Sequence, residues 1–265
     1  MQAMDLEIIE IGANHARFTL SGVAPAFANG LRRSMLSEVP TLAIDEVNIY
    51  NNTSVVYDEQ LALRLGLIPI KTDPTEFMTA SECLCGGAGC STCQVSCNLS
   101  AEGPKMVYSG DLIPTNSANI EIADTRIPIV ELKAGQILIL EAIVRLGYGK
   151  EHAKWQAGVA CGYKNTPQVN IIECDACGAC VKECPHDILG IEDNRAVVLK
   201  ESDCIMCKLC VKACEIDGIK VSAKEDSFIF NIESDGSYSA YDLVLNATSN
   251  LSQKATELKR ILELL

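Results

Sequence analysis

The chain has no apolar run of the roughly 18 residues that a bilayer span requires. The longest candidate, 137–146, is interrupted by Glu141 and Arg145. The first ten residues, MQAMDLEIIE, carry acid where a secretion signal needs positive charge. These absences give the expectation of a soluble, cytoplasmic protein with no membrane contact. Lysine and arginine runs are missing as well, and the formal net charge is −13 over 265 residues. A surface of that sign repels phosphate, so direct nucleic-acid binding by this chain alone is not expected. Nucleotide fingerprints are absent: no G-x-G-x-x-G follows a strand pattern, and there is no P-loop. The three histidines, His15, His152 and His186, pair with no carboxylate at a recognisable catalytic spacing.

Cysteine is what the chain has in plenty. Of 14 residues, eight sit in two ferredoxin-type runs, five lie within 83–97, and Cys161 stands alone. Clustered C-x2-C spacings without a secretion signal favour metal over disulfides. CDACGACVKECP at 174–185 and CIMCKLCVKACE at 204–215 form an internal repeat, each copy reading C-x2-C-x2-C-x3-C. Three cysteines so spaced wrap three corners of a cubane, and the fourth ligates the other cluster. One 4Fe–4S site is then Cys204, Cys207, Cys210 and Cys184. The other is Cys174, Cys177, Cys180 and Cys214. The first is preferred, because Pro185 follows Cys184 as in bacterial-type ferredoxins, whereas Glu215 follows Cys214. An anion there sits beside a negative cluster, and the missing proline loosens the turn. At least one cluster is expected and a second is possible. Taken alone, such a module suggests an iron–sulfur electron carrier or a redox-sensing subunit.

Around these runs, apolar periodicity predicts two strands within the first 22 residues and a helix over 25–38. Phe27, Leu31 and Met35 recur at i+4, Pro25 suits the first turn, and Pro40 ends the helix. A strand follows over 42–50, then a helix over 58–65 closed by Gly66. The region 73–104, rich in Cys, Gly and Ser, reads as a loop tied by metal or disulfides. Strands are expected at 106–108, 120–122, 136–145 and 228–233, with a last helix from about Ser249. That helix puts Leu251, Ala255, Leu258, Leu262 and Leu265 on one face, widened by Ile261. Such a stripe is either buried internally or offered to a partner.

Four stretches outside the cysteine repeat carry a family likeness, in order along the chain. They are NGLRRSMLSEVPTLAIDEV at 29–47, DEQLALRLGLIPI at 58–70, LEAIVRLGYGKEHAKWQ at 140–156 and FIFNIESDGSYSAYDLVLNA at 228–247. The series resembles the alpha-type subunits of cellular RNA polymerases, and G-x-G-K-x-H-A-K-W is typical of the archaeal and eukaryotic members. With a ferredoxin-like segment inside that framework, the chain is similar to the alpha-like D subunits of archaeal DNA-directed RNA polymerases. Those are the counterparts of the bacterial alpha N-terminal domain and the eukaryotic third-largest subunit.

The resemblance implies an α+β fold in three parts. A discontinuous dimerisation domain takes 1–42 and 223–265, a mostly-β second domain takes 43–166, and a ferredoxin-like iron–sulfur domain takes 167–222. It implies a non-catalytic assembly platform that heterodimerises with subunit L and then nucleates assembly of the large catalytic subunits, with a mainly structural cluster. Phe27, Leu31, Met35, Leu258, Ile261, Leu262 and Leu265 would form the dimer core. Arg32 and Arg33 resemble the arginine pair that contacts the large subunits, and Lys150, His152, Lys154 and Trp155 resemble a surface loop of the family. In keeping with a non-catalytic role, Asp193, Asp203, Asp217, Asp226 and Asp235 are scattered and form no Mg²⁺-binding triad. Finally, Cys83-x-Cys85-x4-Cys90-x2-Cys93 resembles, with one residue more in the middle, a zinc loop of the eukaryotic counterpart. Four thiolates suffice for a structural zinc site. Cys97 is a fifth thiol, and zinc, disulfides and free thiols all stay open.

Overall fold

Elements form largely where the periodicity predicts them. The structure is a computed structural model describing residues 3–115 and 120–264. In chain order these give β1 (Asp5–Ile11), β2 (His15–Ser21), α1 (Pro25–Ser37), β3 (Pro40–Asn52) and α2 (Asp58–Gly66). Next come β4 (Gln94–Glu102), β5 (Lys105–Tyr108), β6 (Ile113–Pro114), β7 (Pro128–Leu132) and β8 (Ile137–Tyr148). The chain ends with β9 (Gly158–Ile171), α3 (Ala179–Lys182), β10 (Leu189–Glu192), β11 (Arg195–Val198), α4 (Leu209–Lys212), β12 (Ile219–Ser234) and α5 (Ala240–Leu262). The fold is mixed α and β. Leu265, one of the expected dimer residues, lies outside the described residues.

Three expectations need correction. The stretch 73–104 is not loop throughout, because β4 occupies its end with Val95, Cys97, Leu99 and Ala101 all turned into the core. That alternation is regular, but the cysteine and serines disguise it. Residues 120–122 make no strand, only one antiparallel bridge from Ile122 to Ile70. The last helix starts at Ala240, not near Ser249. The Ser239 hydroxyl caps it by accepting from the Asp242 N–H at 3.0 Å, and Leu243 and Ala247 bury its first turns.

Contacts divide the described chain into two compact units. One comprises 1–10, 17–29 and 162–231. Its sheet runs in the order β1-β2-β12-β9, a sheet to which early and late parts of the chain both contribute. Phe18 of β2 stacks on Phe230 of β12 at 5.1 Å, and Tyr163 of β9 meets Phe228 edge-on at 5.4 Å. The Ser227 hydroxyl bridges Ser21 and Thr166, at 2.8 and 2.7 Å. The cysteine repeat belongs to this unit. Its small core holds Ile188, Leu189, Ala196, Ile219 and Val221 together with Cys180, Cys204 and Cys210. The hairpin β10-β11 joins the two halves of the repeat.

The other unit comprises 11–16, 30–161 and 232–265. Its antiparallel sheet runs β3-β8-β4-β6, beside the two-stranded pair β5-β7. Leu61 and Leu65 of α2 close the core over Leu42, Leu99, Leu138 and Leu140. In the same unit the part of α1 from Gly30 onward lies along α5. The Ser34 hydroxyl donates to the Ala247 carbonyl, Asn250 donates to the Glu38 carbonyl at 2.7 Å, and Lys254 pairs with Glu38 at 2.7 Å.

Candidate metal centres and partner face

The loop before β4 brings four thiols together. Gly86, Gly87 and Gly89 all hold left-handed φ, from 62 to 90°, which folds 83–93 back on itself. Sγ–Sγ distances are 3.4 Å for Cys83–Cys90 and Cys83–Cys85, 3.6 Å for Cys85–Cys93 and 3.9 Å for Cys90–Cys93. All four lie within 4.8 Å of one another, a group able to hold a metal ion. A Zn–S bond of about 2.3 Å gives a tetrahedron edge of about 3.8 Å. Bonded sulfurs would lie only about 2 Å apart. None of these contacts is a disulfide.

The thiols do not share charge equally. N–H groups of Cys90 and Gly89, with the Cys83 thiol between them in strength, pull Cys85 down to about 5. Cys83 receives the Cys85 N–H, yet its thiol neighbours Cys85 and Cys90 outweigh that and push it up to about 12. A cation is what would hold all four as thiolates at once. Cys97 is not part of this group. It faces the core from β4, only 3% exposed, and burial pushes its thiol up to about 11.

In the repeat, Cys184, Cys204, Cys207 and Cys210 line one cavity with Pro185, His186 and Lys208. Cys210 is raised first by burial and further by the charges of Cys204, Cys184 and Cys207, which places all four within electrostatic reach. Cys180 is likewise raised by burial, then by Cys174 and Cys177. The two halves wrap alike. Ala176 and Met206, Gly178 and Lys208, and Asp187 and Asp217 are matched positions of the repeat, and all hold φ between 49 and 73°. Main-chain N–H groups point at sulfur: Ala176 and Ala196 at Cys174, Met206 at Cys204, and Gly218 at Cys214, at 3.2–3.4 Å. The turn after Cys184 and the turn after Cys214 close with the same bond, Asp187 N–H to the Cys184 carbonyl and Asp217 N–H to the Cys214 carbonyl, at 3.4 and 3.2 Å. Glu215 thus leaves the turn as tight as Pro185 does.

The expected dimer residues separate into two sets. Leu31 and Met35 are buried by the chain itself, Met35 completely. Phe27, Leu258, Ile261 and Leu262 are exposed, and every described residue of α5 beyond Leu251 is exposed too. Arg33 is exposed and Arg32 half-buried.

Residues 17–255 match the RNA polymerase Rpb3/Rpb11 dimerisation domain family. The chain belongs to that family. It is 54% identical over 263 residues to DNA-directed RNA polymerase subunit Rpo3 of Methanosarcina acetivorans, covering 98% of both chains. Rpo3 of Archaeoglobus fulgidus is 41% identical over 260 residues, again 98% of both, and that of Halobacterium salinarum is 38% identical over 266, 99% of both. The Rpb3/Rpb11 family is non-catalytic. Among the described residues, no helix is long and apolar enough to cross a membrane.

In this Rpb3/Rpb11-type chain the 147–156 loop has a definite anchor that sequence reasoning missed. Asp45 on β3 accepts from Lys154 at 2.5 Å and from Arg145 at 2.9 Å. Lys154 also lies over the Trp155 ring at 4.4 Å, and the Trp155 indole donates to the Arg145 carbonyl. Gly147 is required because a Cβ there would stand 2.4 Å from the Trp155 ring. The available signal was an acid, Asp45, at the end of an apolar strand run.

Proposed function

We propose that this chain is the assembly platform of an archaeal DNA-directed RNA polymerase, pairing first with the small subunit L and then with the large catalytic subunits. In this reading 1–42 with 223–265 is the dimerisation domain, 43–166 the inserted domain and 167–222 a ferredoxin-like domain. The observation that carries it is the end of α5. Leu258, Ile261 and Leu262 stay 46–60% exposed, side by side at i, i+3 and i+4 on a helix of 23 residues, the arrangement by which an amphipathic helix meets a partner. Phe27 adds to the dimer face, and Arg32 and Arg33 are assigned to the large subunits, where guanidinium groups suit bidentate anchoring. The protein would act in the cytoplasm without touching nucleic acid itself, in line with its net charge of −13.

Two kinds of metal centre belong to this reading. Cys83, Cys85, Cys90 and Cys93 suit zinc, because their spacing matches a ZnS4 edge and is too tight for a cubane's outer thiolates. The two halves of the repeat suit 4Fe–4S clusters, Cys184 with Cys204, Cys207 and Cys210, and Cys214 with Cys174, Cys177 and Cys180. A bound cubane supplies cross-links between chain segments and a site for one electron; its role here is mainly structural.

The test is co-purification of the full chain with subunit L. Leu258→Asp with Leu262→Asp should abolish the pair while leaving the lone chain's melting temperature nearly unchanged. Undiminished pairing would overturn the assignment of α5. Iron and zinc per chain, after anaerobic purification, test the centres separately.

A further inference from the structure

The chain enters Cys204 through Ser202 and Asp203, and two cations from distant strands hold it there. Arg17 on β2 donates through Nη2 to the Ser202 carbonyl at 3.2 Å and to the Asp203 carboxylate at 2.8 Å. Lys164 on β9 donates to the carbonyl of Cys204 itself at 2.9 Å. All of these residues belong to one compact unit. The Arg17 Nε is buried without an acceptor, so the guanidinium is held by its outer end alone.

The charges do not cancel. Arg17 and Asp203 pair as opposite charges, so the Lys164 ammonium adds positive charge at the backbone of a ligand residue, alongside Lys208 in the wall of the same cavity. Lys164 is half-buried, and a poorly hydrated charge is felt further than one in water. The other half of the repeat is held differently. The chain entering Cys174 is gripped by Arg195, whose Nη2 reaches the carbonyls of Ile171 at 3.0 Å and Ile172 at 3.4 Å. Arg195 lies on β11, inside the repeat's own hairpin. The approach to Cys204 is therefore gripped by side chains from the framework strands β2 and β9, the approach to Cys174 by a side chain from the connecting hairpin.

We propose that Arg17 and Lys164 are positioning residues for the Cys184–Cys204–Cys207–Cys210 centre: Arg17 clamps the chain ahead of Cys204, and Lys164 holds the Cys204 carbonyl while lending positive charge to that centre. This rests on the reading that those four thiols bind a cubane. Reduction adds one electron to an already anionic cluster, so a nearby cation favours the reduced form and raises the midpoint potential. The clamp acts on the other property, retention. A loose approach to Cys204 lets one ligand dissociate and opens the cluster to solvent.

The two contributions can be separated on the full chain, purified and reconstituted without oxygen. Lys164→Gln keeps a donor for the Cys204 carbonyl but removes the charge. It should shift one midpoint to lower potential in a titration followed by paramagnetic resonance, with iron released to a chelator in air at nearly the wild-type rate. Arg17→Gln should release iron about tenfold faster or more, the usual scale for lost outer-shell support, and Arg17→Lys should recover part of that loss. If Arg17→Gln does not fold, Asp203→Ala, which removes the carboxylate acceptor of Arg17, takes its place and should likewise release iron faster than wild type, an unchanged rate overturning the clamp. An unchanged midpoint in Lys164→Gln would overturn the charge assignment, and an unchanged release rate in folded Arg17→Gln would overturn the clamp. A wild-type chain that takes up no iron would overturn the cluster reading itself, a failure distinct from either.

Discussion

The Ser34 hydroxyl donates to the Ala247 carbonyl across 2.9 Å, with both groups buried, and so fastens α1 to α5 at the root of the exposed apolar stripe. A polar latch here fixes the axial register of α5 relative to α1, which hydrophobic contact alone would leave free to slide.

Ser34→Ala removes that latch without adding volume. The expected cost is about 1 kcal/mol, the net worth of a typical buried hydrogen bond. Urea denaturation of the lone chain measures it. Ser34→Leu should cost more, because Ser34 is 2% exposed and the added carbons have no space.

Cys85 and Cys97 are close in the chain but differ in surroundings, one among four clustered thiols and the other buried in the core. Cys85→Ser should abolish bound zinc and loosen 83–93, as seen by metal analysis and by proteolysis at the exposed Leu84. Cys97→Ser should leave zinc content unchanged and instead lower stability by about 1–3 kcal/mol, through a polar group placed in an apolar core. Zinc loss in Cys97→Ser would mean that the fifth thiol takes part after all.

Gly218 approaches the chain that enters Cys174 so closely that a Cβ would stand 2.1 Å from the Glu173 carbonyl, and its own carbonyl accepts from the Ile172 N–H at 2.8 Å. Gly218→Ala should push that chain away and displace Cys174. Iron content should fall towards that of a single cluster, with the Cys204 centre's resonance retained. Full iron content would show that the two chain segments can part without cost to the site.

Asp45 should contribute to the acid limb of stability in its own unit. Burial opposes its charge, but the hydrogen bonds from Lys154 and Arg145 and their positive charges outweigh burial and hold its pKa below the ordinary carboxylate value. A depressed folded pKa means stability that is complete above the unfolded value, near 3.9, and lost as pH falls through the folded value. The difference in unfolding free energy between wild type and Asp45→Asn should therefore be constant from pH 7 to about 5 and shrink below about 4. A difference that does not change with pH would show that Asp45 contributes by packing alone.

Much of the fold was legible in the chain. The helix over α1, the end of α2 at Gly66 and the alternation of β2 each follow from local side-chain order, and in α1 the predicted stripe is buried at Leu31 and Met35 but exposed at Phe27. The cysteine repeat was legible for the same reason. Its two copies return in the structure as matched left-handed residues, Ala176 with Met206 and Asp187 with Asp217. Where local order was ambiguous, reading failed. β4 hides its alternation behind Cys97 and two serines, and α5 begins at a cap, Ser239, that the preceding turn residues obscured.

What the sequence by itself determined is the set of thiols and their spacing, because ligand spacing along a short loop is a local property. Which helix residues meet water was decided only by the tertiary structure. Leu31, Met35, Leu258 and Leu262 look alike as periodic apolar positions, yet the chain buries the first two and leaves the others exposed. The reason is physical. An amphipathic stripe states that a face avoids water, whereas what covers that face depends on elements from the far end of the chain, as Ala247 is from Ser34. Arg17 and Lys164 follow the same rule. Nothing in their neighbourhoods along the chain marks them, and only the folded sheet brings them to Cys204.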